Sequence, residues 1–67
     1  MADGVFLSDL KKGQRFTLPC SQFPNVVYTK GVRVAHSKAL YHITWIWDGE
    51  VKRTVLFGYN YCKPVNE

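Results

Sequence analysis

The stretch Ala39-Leu40-Tyr41-His42-Ile43-Thr44-Trp45-Ile46-Trp47-Asp48-Gly49-Glu50-Val51-Lys52-Arg53-Thr54-Val55-Leu56-Phe57-Gly58 decides the fold. Two runs rich in Trp, Tyr, Ile, Thr, Val and Phe flank an Asp-Gly pair. β-Branched and aromatic side chains suit a pleated, half-buried surface. Aspartate and glycine tolerate the positive φ that a tight hairpin turn imposes. The sequence therefore predicts a β-hairpin that turns at Asp48-Gly49.

Two registers compete for that hairpin. With a two-residue type I′ loop, Trp47 faces Glu50, Trp45 faces Lys52 and Ile43 faces Thr54. With a three-residue loop, Trp47-Asp48-Gly49 and a G1 bulge at Gly49, Trp45 meets Val51 and Tyr41 meets Val55. The second places Tyr41, Ile43, Trp45, Val51, Val55 and Phe57 on one face, and a one-residue slip would turn that apolar set toward water. The bulged register is thus the expectation. It leaves Trp47 in the turn, outside the core, and packs the stem of Arg53 near an open edge with its guanidinium in solvent.

Outward from the hairpin, Gln14 to Leu18 alternates Phe16 and Leu18 with Arg15 and Thr17, the pattern of a half-buried strand. Before it, Ser8 to Gly13 reads as a turn or one helical turn, with Ser8 or Asp9 as N-cap and Gly13 as the stop. Pro19-Cys20-Ser21-Gln22-Phe23-Pro24-Asn25 holds two prolines and several turn formers, so it is a loop. Val26 to Ala35 returns to strand character, with a bend or bulge at Gly31. Tyr59 to Val65 is a fifth strand that Pro64 makes an edge or a strand end.

The prediction is an all-β fold: a small five-stranded antiparallel barrel preceded by a short N-terminal turn or helical turn, spanning residues 1–67 as one domain with residues 1–4 flexible. The opening Leu10-Lys11-Lys12-Gly13-Gln14-Arg15-Phe16, then a loop, a bent strand and a Trp-Asp-Gly hairpin, resembles SH3-like small barrels, the group that includes Tudor and KOW modules. The resemblance is one of layout over nearly the whole chain and implies the barrel fold, without assigning any site residue.

At 67 residues with 46% hydrophobic and 15% aromatic content, the chain has enough apolar surface for one core and is not of disordered composition. Nine Lys and Arg against five Asp and Glu give a net charge of +4, which favours anionic partners. No apolar run approaches the roughly 20 residues of a membrane span, and the N-terminal residues lack the pattern of a secretory signal, so the expected location is the cytoplasm. Two cysteines, Cys20 and Cys62, are too few for a disulfide framework and are expected to be reduced, with a single bridge as the alternative.

Catalytic signals are thin. The sequence contains no phosphate-binding glycine loop and no nucleophile elbow, and its carboxylates sit at termini and turns, so no enzyme activity and no cofactor are expected. Cys20, His36, His42 and Cys62 lack the close Cys pairs of structural zinc sites, and no metal site is expected. The stronger pattern interleaves basic and aromatic residues: Lys11, Lys12, Arg15, Lys30, Arg33, Lys52, Tyr59 and Tyr61. Aromatic faces stack bases while Lys and Arg contact phosphates, so the expected function is nucleic-acid binding through a basic, aromatic β surface. The alternative is a protein-interaction module docking through Trp47, Ile46 and Phe23, in the manner of small bacteriophage proteins that bind and redirect a host enzyme.

Overall fold

The computed structural model describes residues 4–65. The fold is all-β, with strands β1 (Val5–Phe6), β2 (Arg15–Thr17), β3 (Tyr28–Arg33), β4 (Leu40–Trp47), β5 (Glu50–Phe57) and β6 (Tyr61–Pro64), and one short 3-10 turn, η1 (Leu7–Asp9). The strands are antiparallel and form a single open sheet in the order β1-β6-β2-β3-β4-β5. Where five strands were expected there are six, because Val5 and Phe6 pair with Cys62 and Tyr61. That pairing also makes β6 an interior strand instead of an edge. Pro64 is tolerated because it lies at the end of β6, past the β1 pairing and opposite Phe16. No helix among the described residues is long and apolar enough to cross a membrane.

The hairpin adopts the two-residue turn, which overturns the bulged register. Trp47 pairs with Glu50, Trp45 with Lys52 and Ile43 with Thr54. Asp48 and Gly49 have φ of 53° and 77°, the two positive values that a type I′ turn requires. Trp47 is therefore the last residue of β4 and not part of the turn. Turn chemistry prevails here over apolar matching. The core accepts only Leu56 from the apolar residues of β5, while Val51, Val55 and Phe57 are exposed on the opposite face with Arg53.

Leu7, Phe16, Tyr28, Ile43 and Cys62 form the core, and Leu10, Leu18, Val26, Tyr41, Trp45 and Leu56 pack against it. Its spine is one row across the sheet, since Phe16 pairs with Tyr28, Tyr28 with Trp45, and Trp45 with Lys52. The Phe16 and Tyr28 rings stack at 5.7 Å, and Tyr28 meets Trp45 edge-on at 5.2 Å. The β3–β4 register shifts between Lys30 and Arg33, as the glycine at position 31 suggested. A Cβ at Gly31 would stand 3.0 Å from the His42 carbonyl oxygen, so any side chain there would require the neighbouring strand to give way slightly.

The expected cap on the N-terminal turn is not formed. Phe6 occupies the N-cap position and makes no side-chain cap bond. The turn is instead held from across the molecule: the Leu7 N–H donates to the Asn60 carbonyl and the Ser8 N–H to the Gly58 carbonyl. The chain just after β1 is thereby bonded to the chain just after β5. Residues 1–3 of the expected flexible start lie outside the described residues.

The register generates a stability ranking. Ile43→Ala is expected to cost about 2–5 kcal/mol, as for a fully buried aliphatic residue. Leu56→Ala is expected to cost more than Val55→Ala, whose effect stays within about 1 kcal/mol. Urea unfolding of the three variants measures this, and a larger loss at Val55 than at Leu56 would restore the bulged register.

Candidate functional site

The loop between β2 and β3 brings its aromatic residue onto the hairpin. The loop is folded on itself by the Ser21 N–H donating to the Leu18 carbonyl at 3.0 Å and the Ser21 Oγ donating to the same oxygen at 2.6 Å. Phe23 then meets Trp47 edge-on, ring centroids 5.5 Å apart. Both rings remain accessible, Phe23 at 50% and Trp47 at 46% exposure. Because Trp47 shares strand parity with Ile43 and Trp45, it extends the inner face beyond the end of the core.

Two hollows meet at this corner. One, of about 300 Å³, is lined by Phe23, Val26, Tyr28, Trp45, Trp47 and Lys52. The other, of about 640 Å³, includes Arg15, Thr29, Thr44, Ile46 and Val51. Val26, Trp45 and Trp47 line both and form the wall between them. Arg15 thus stands on one side of an aromatic wall and Lys52 on the other. No carboxylate among the described residues lines either hollow. Glu50 is nearby, paired with Lys52 at 2.9 Å, but both side chains are solvent-exposed and such a pair contributes little.

The predicted basic residues divide among several places. Arg15 and Lys52 reach the wall, together with the separately predicted trio Trp47, Ile46 and Phe23. Lys11 and Lys12 are exposed in the turn before β2, and Arg33 is exposed at the end of β3, opposite Tyr41. Tyr59 is exposed and stacks on Phe57 at 5.0 Å. The Tyr61 hydroxyl accepts a bond from the Gly4 N–H at 3.0 Å. Sequence reasoning missed the polar row on the outer face, where Arg15 pairs with Thr29, Thr29 with Thr44, and Thr44 with Arg53. That row follows from parity once the two-residue turn is adopted.

Lys30 is placed inside. It is only 6% exposed, its ammonium donates to the Leu10 carbonyl, and it lies 4.3 Å from the centre of the Tyr41 ring. A buried cation is costly unless partnered, and here a carbonyl and a π face partner it. It therefore ties the turn after η1 to β3 and β4 instead of facing a surface ligand. The signal was present in the sequence, since Lys30 shares parity with Val26 and Tyr28. Cys62 is buried and its Sγ lies 3.4 Å from the Asn60 carbonyl, while Cys20 is exposed in the loop; both are free thiols. Among the described residues no three His, Cys, Asp or Glu side chains come together as metal ligands. No protein family, curated protein or solved structure matches the chain.

Burial acts on these two inner groups in opposite senses. It pushes the Lys30 ammonium below its usual 10.5, against smaller opposing effects of Asp9 and Cys62. It pushes the Cys62 thiol from 9.0 up to about 11, with Lys30 acting the other way. Folded Lys30 holds fewer protons than unfolded Lys30, so its contribution to stability grows as the pH rises toward 10.5. Cys62 keeps its proton in the fold after the unfolded thiol ionises, so its contribution is present below pH 9.0 and lost as the pH climbs to about 11. Cys62→Val is expected to make the urea midpoint fall less steeply between pH 9.0 and about 11 than in the unaltered chain. Parallel pH profiles for the two proteins would remove Cys62 from this account.

Proposed function

We propose that the chain is a non-enzymatic nucleic-acid-binding module that holds single-stranded segments against the Trp45–Trp47 wall. The observation that carries the reading is the aromatic wall with a cation on each side: Arg15 in one hollow and Lys52 in the other. Unpaired bases present π faces that stack on aromatic side chains, and their linking phosphates seek Lys and Arg. An unpaired strand crossing the wall meets both kinds of group in succession. The net charge of +4 and the carboxylate-free lining act in the same direction.

The SH3-like barrel layout belongs to the same proposal. Its support is the return of β6 to the side of β2 and the pair of bonds from η1 to Gly58 and Asn60, which draw the two ends of the open sheet toward each other. A second reading, docking of a protein partner, is favoured by one specific feature: Ile46 and Val51, paired with each other, are 64% and 60% exposed.

Salt separates the two readings. Affinity for a single-stranded oligonucleotide is expected to fall linearly in log–log form with added salt, and Arg15→Ala or Lys52→Ala to reduce the slope by about 0.7 each. Trp47→Ala is expected to cost about 1–3 kcal/mol of binding, the range for one stacked base, with the fold retained by circular dichroism. Oligonucleotide binding that ignores both salt and all three substitutions would sink the nucleic-acid reading.

A further inference from the structure

Resting on the nucleic-acid reading, we infer that the bound strand continues across the outer face of the sheet, with its phosphates on the row Arg15-Thr29-Thr44-Arg53 and its bases on an apolar row beside it. Arg53 is then a further phosphate-contacting residue. The row crosses four adjacent strands without a gap, since Arg15 pairs with Thr29, Thr29 with Thr44 and Thr44 with Arg53. Its two arginines are exposed at the ends. The larger hollow covers the row from Arg15 to Thr44, and Arg53 extends it past the hollow. Guanidinium groups carry only donors, in a fork that matches a phosphate, and the threonine hydroxyls between them can donate as well.

Charge divides between the two faces of the sheet in the sense a polyanion needs. The carboxylates among the described residues are Asp9, Asp48 and Glu50. Asp9 lies close enough to the buried Lys30 to act on its charge, Glu50 pairs with Lys52 on the parity of Trp47, and Asp48 is in the turn. No strand residue of the outer parity is a carboxylate, whereas Arg15, Arg53 and Lys63, the last opposite Thr17, all share that parity. The strands therefore present a field of one sign on this side, which attracts a polyanion.

The apolar row is displaced two residues from the polar one, toward the hairpin turn. Ile46 and Val51 pair with each other and are 64% and 60% exposed, and Val27, two residues before Thr29, is 42% exposed. All three line the larger hollow. Two residues along a strand cover about 6.6–6.8 Å, a gap that the sugar of a nucleotide bridges between phosphate and base. A duplex offers phosphates but keeps its base faces stacked inside, so the apolar row selects an unpaired strand. Arg15 and Arg53 are three interstrand spacings apart, about 14 Å, or roughly four nucleotides of a stacked strand.

The probe is a labelled oligodeoxythymidine of about eight nucleotides, within the site size of small β-barrels, titrated at several salt concentrations. Arg53→Ala is expected to lower the log–log salt slope by about 0.7, and Arg53→Lys to restore it. Lys38→Ala removes an exposed cation in the β3–β4 loop, off the row, and is expected to leave the slope unchanged. Ile46→Thr keeps a β-branched residue in the strand and is expected to weaken single-strand binding about fivefold without affecting a stable duplex. These three positions are exposed, so the circular dichroism of each variant is expected to match the unaltered chain. An unchanged slope in Arg53→Ala, an equal drop in Lys38→Ala, an equal loss on duplex in Ile46→Thr, or displacement of the strand by polyglutamate as readily as by unlabelled oligonucleotide would each overturn the inference. If Arg15→Ala, Lys52→Ala and Trp47→Ala still weaken binding in that event, the Trp45–Trp47 wall stands without the outer track. A chain with no salt-dependent affinity for the oligonucleotide would remove both.

Discussion

The ring contacts of Phe16 with Tyr28, and of Tyr28 with Trp45, are the constraint on which the remaining structure depends. A chain of this length hides only about 60% of the surface its unfolded form exposes, so a few large side chains must supply most of the burial. Three aromatic residues on three adjacent strands do so in one row, and their registers are locked together because moving any strand by one residue would turn its ring outward. β6 and β5 extend the row at its two ends with Pro64 and Lys52. Short strands such as β2, with only three residues, remain ordered because Phe16 commits them to it.

The same row prepares the candidate site. Trp45 is a core residue at its Tyr28 side and a wall residue at its outer side, so the platform for a ligand is held by the packing that holds the fold. Trp47 lacks that backing: it meets Phe23 edge-on and is 46% exposed, so less packing holds it than holds Trp45. Lys30 serves the opposite purpose. Its buried ammonium links Leu10 to the Tyr41 ring, joining a turn with little packing of its own to the middle of the sheet.

Much of the architecture was legible in the sequence because it depends on local chemistry. The Asp-Gly turn, the strand character of residues 40–57 and the kink at Gly31 each follow from backbone preferences at a few positions. What was not legible depended on which strands would lie at the edge. Val51, Val55 and Phe57 read as core because their alternation is sound, and alternation cannot tell a buried face from an exposed one. β1 escaped notice because two residues carry no periodicity, yet it converts β6 from an edge to an interior strand. Arg15, Lys52 and Trp47 were found as residue types, whereas their meeting at one wall required the true register.

That register also explains why the apolar outer face of β5 persists. In the bulged alternative Val51, Val55 and Phe57 would fill the core and Leu56 would face water, and a chain this small would gain burial from the exchange. The type I′ turn forbids it, because positive φ at both Asp48 and Gly49 fixes a two-residue loop and with it the strand parity. Local turn geometry thus commits the fold to leaving one apolar stripe uncovered beside an unpaired backbone edge.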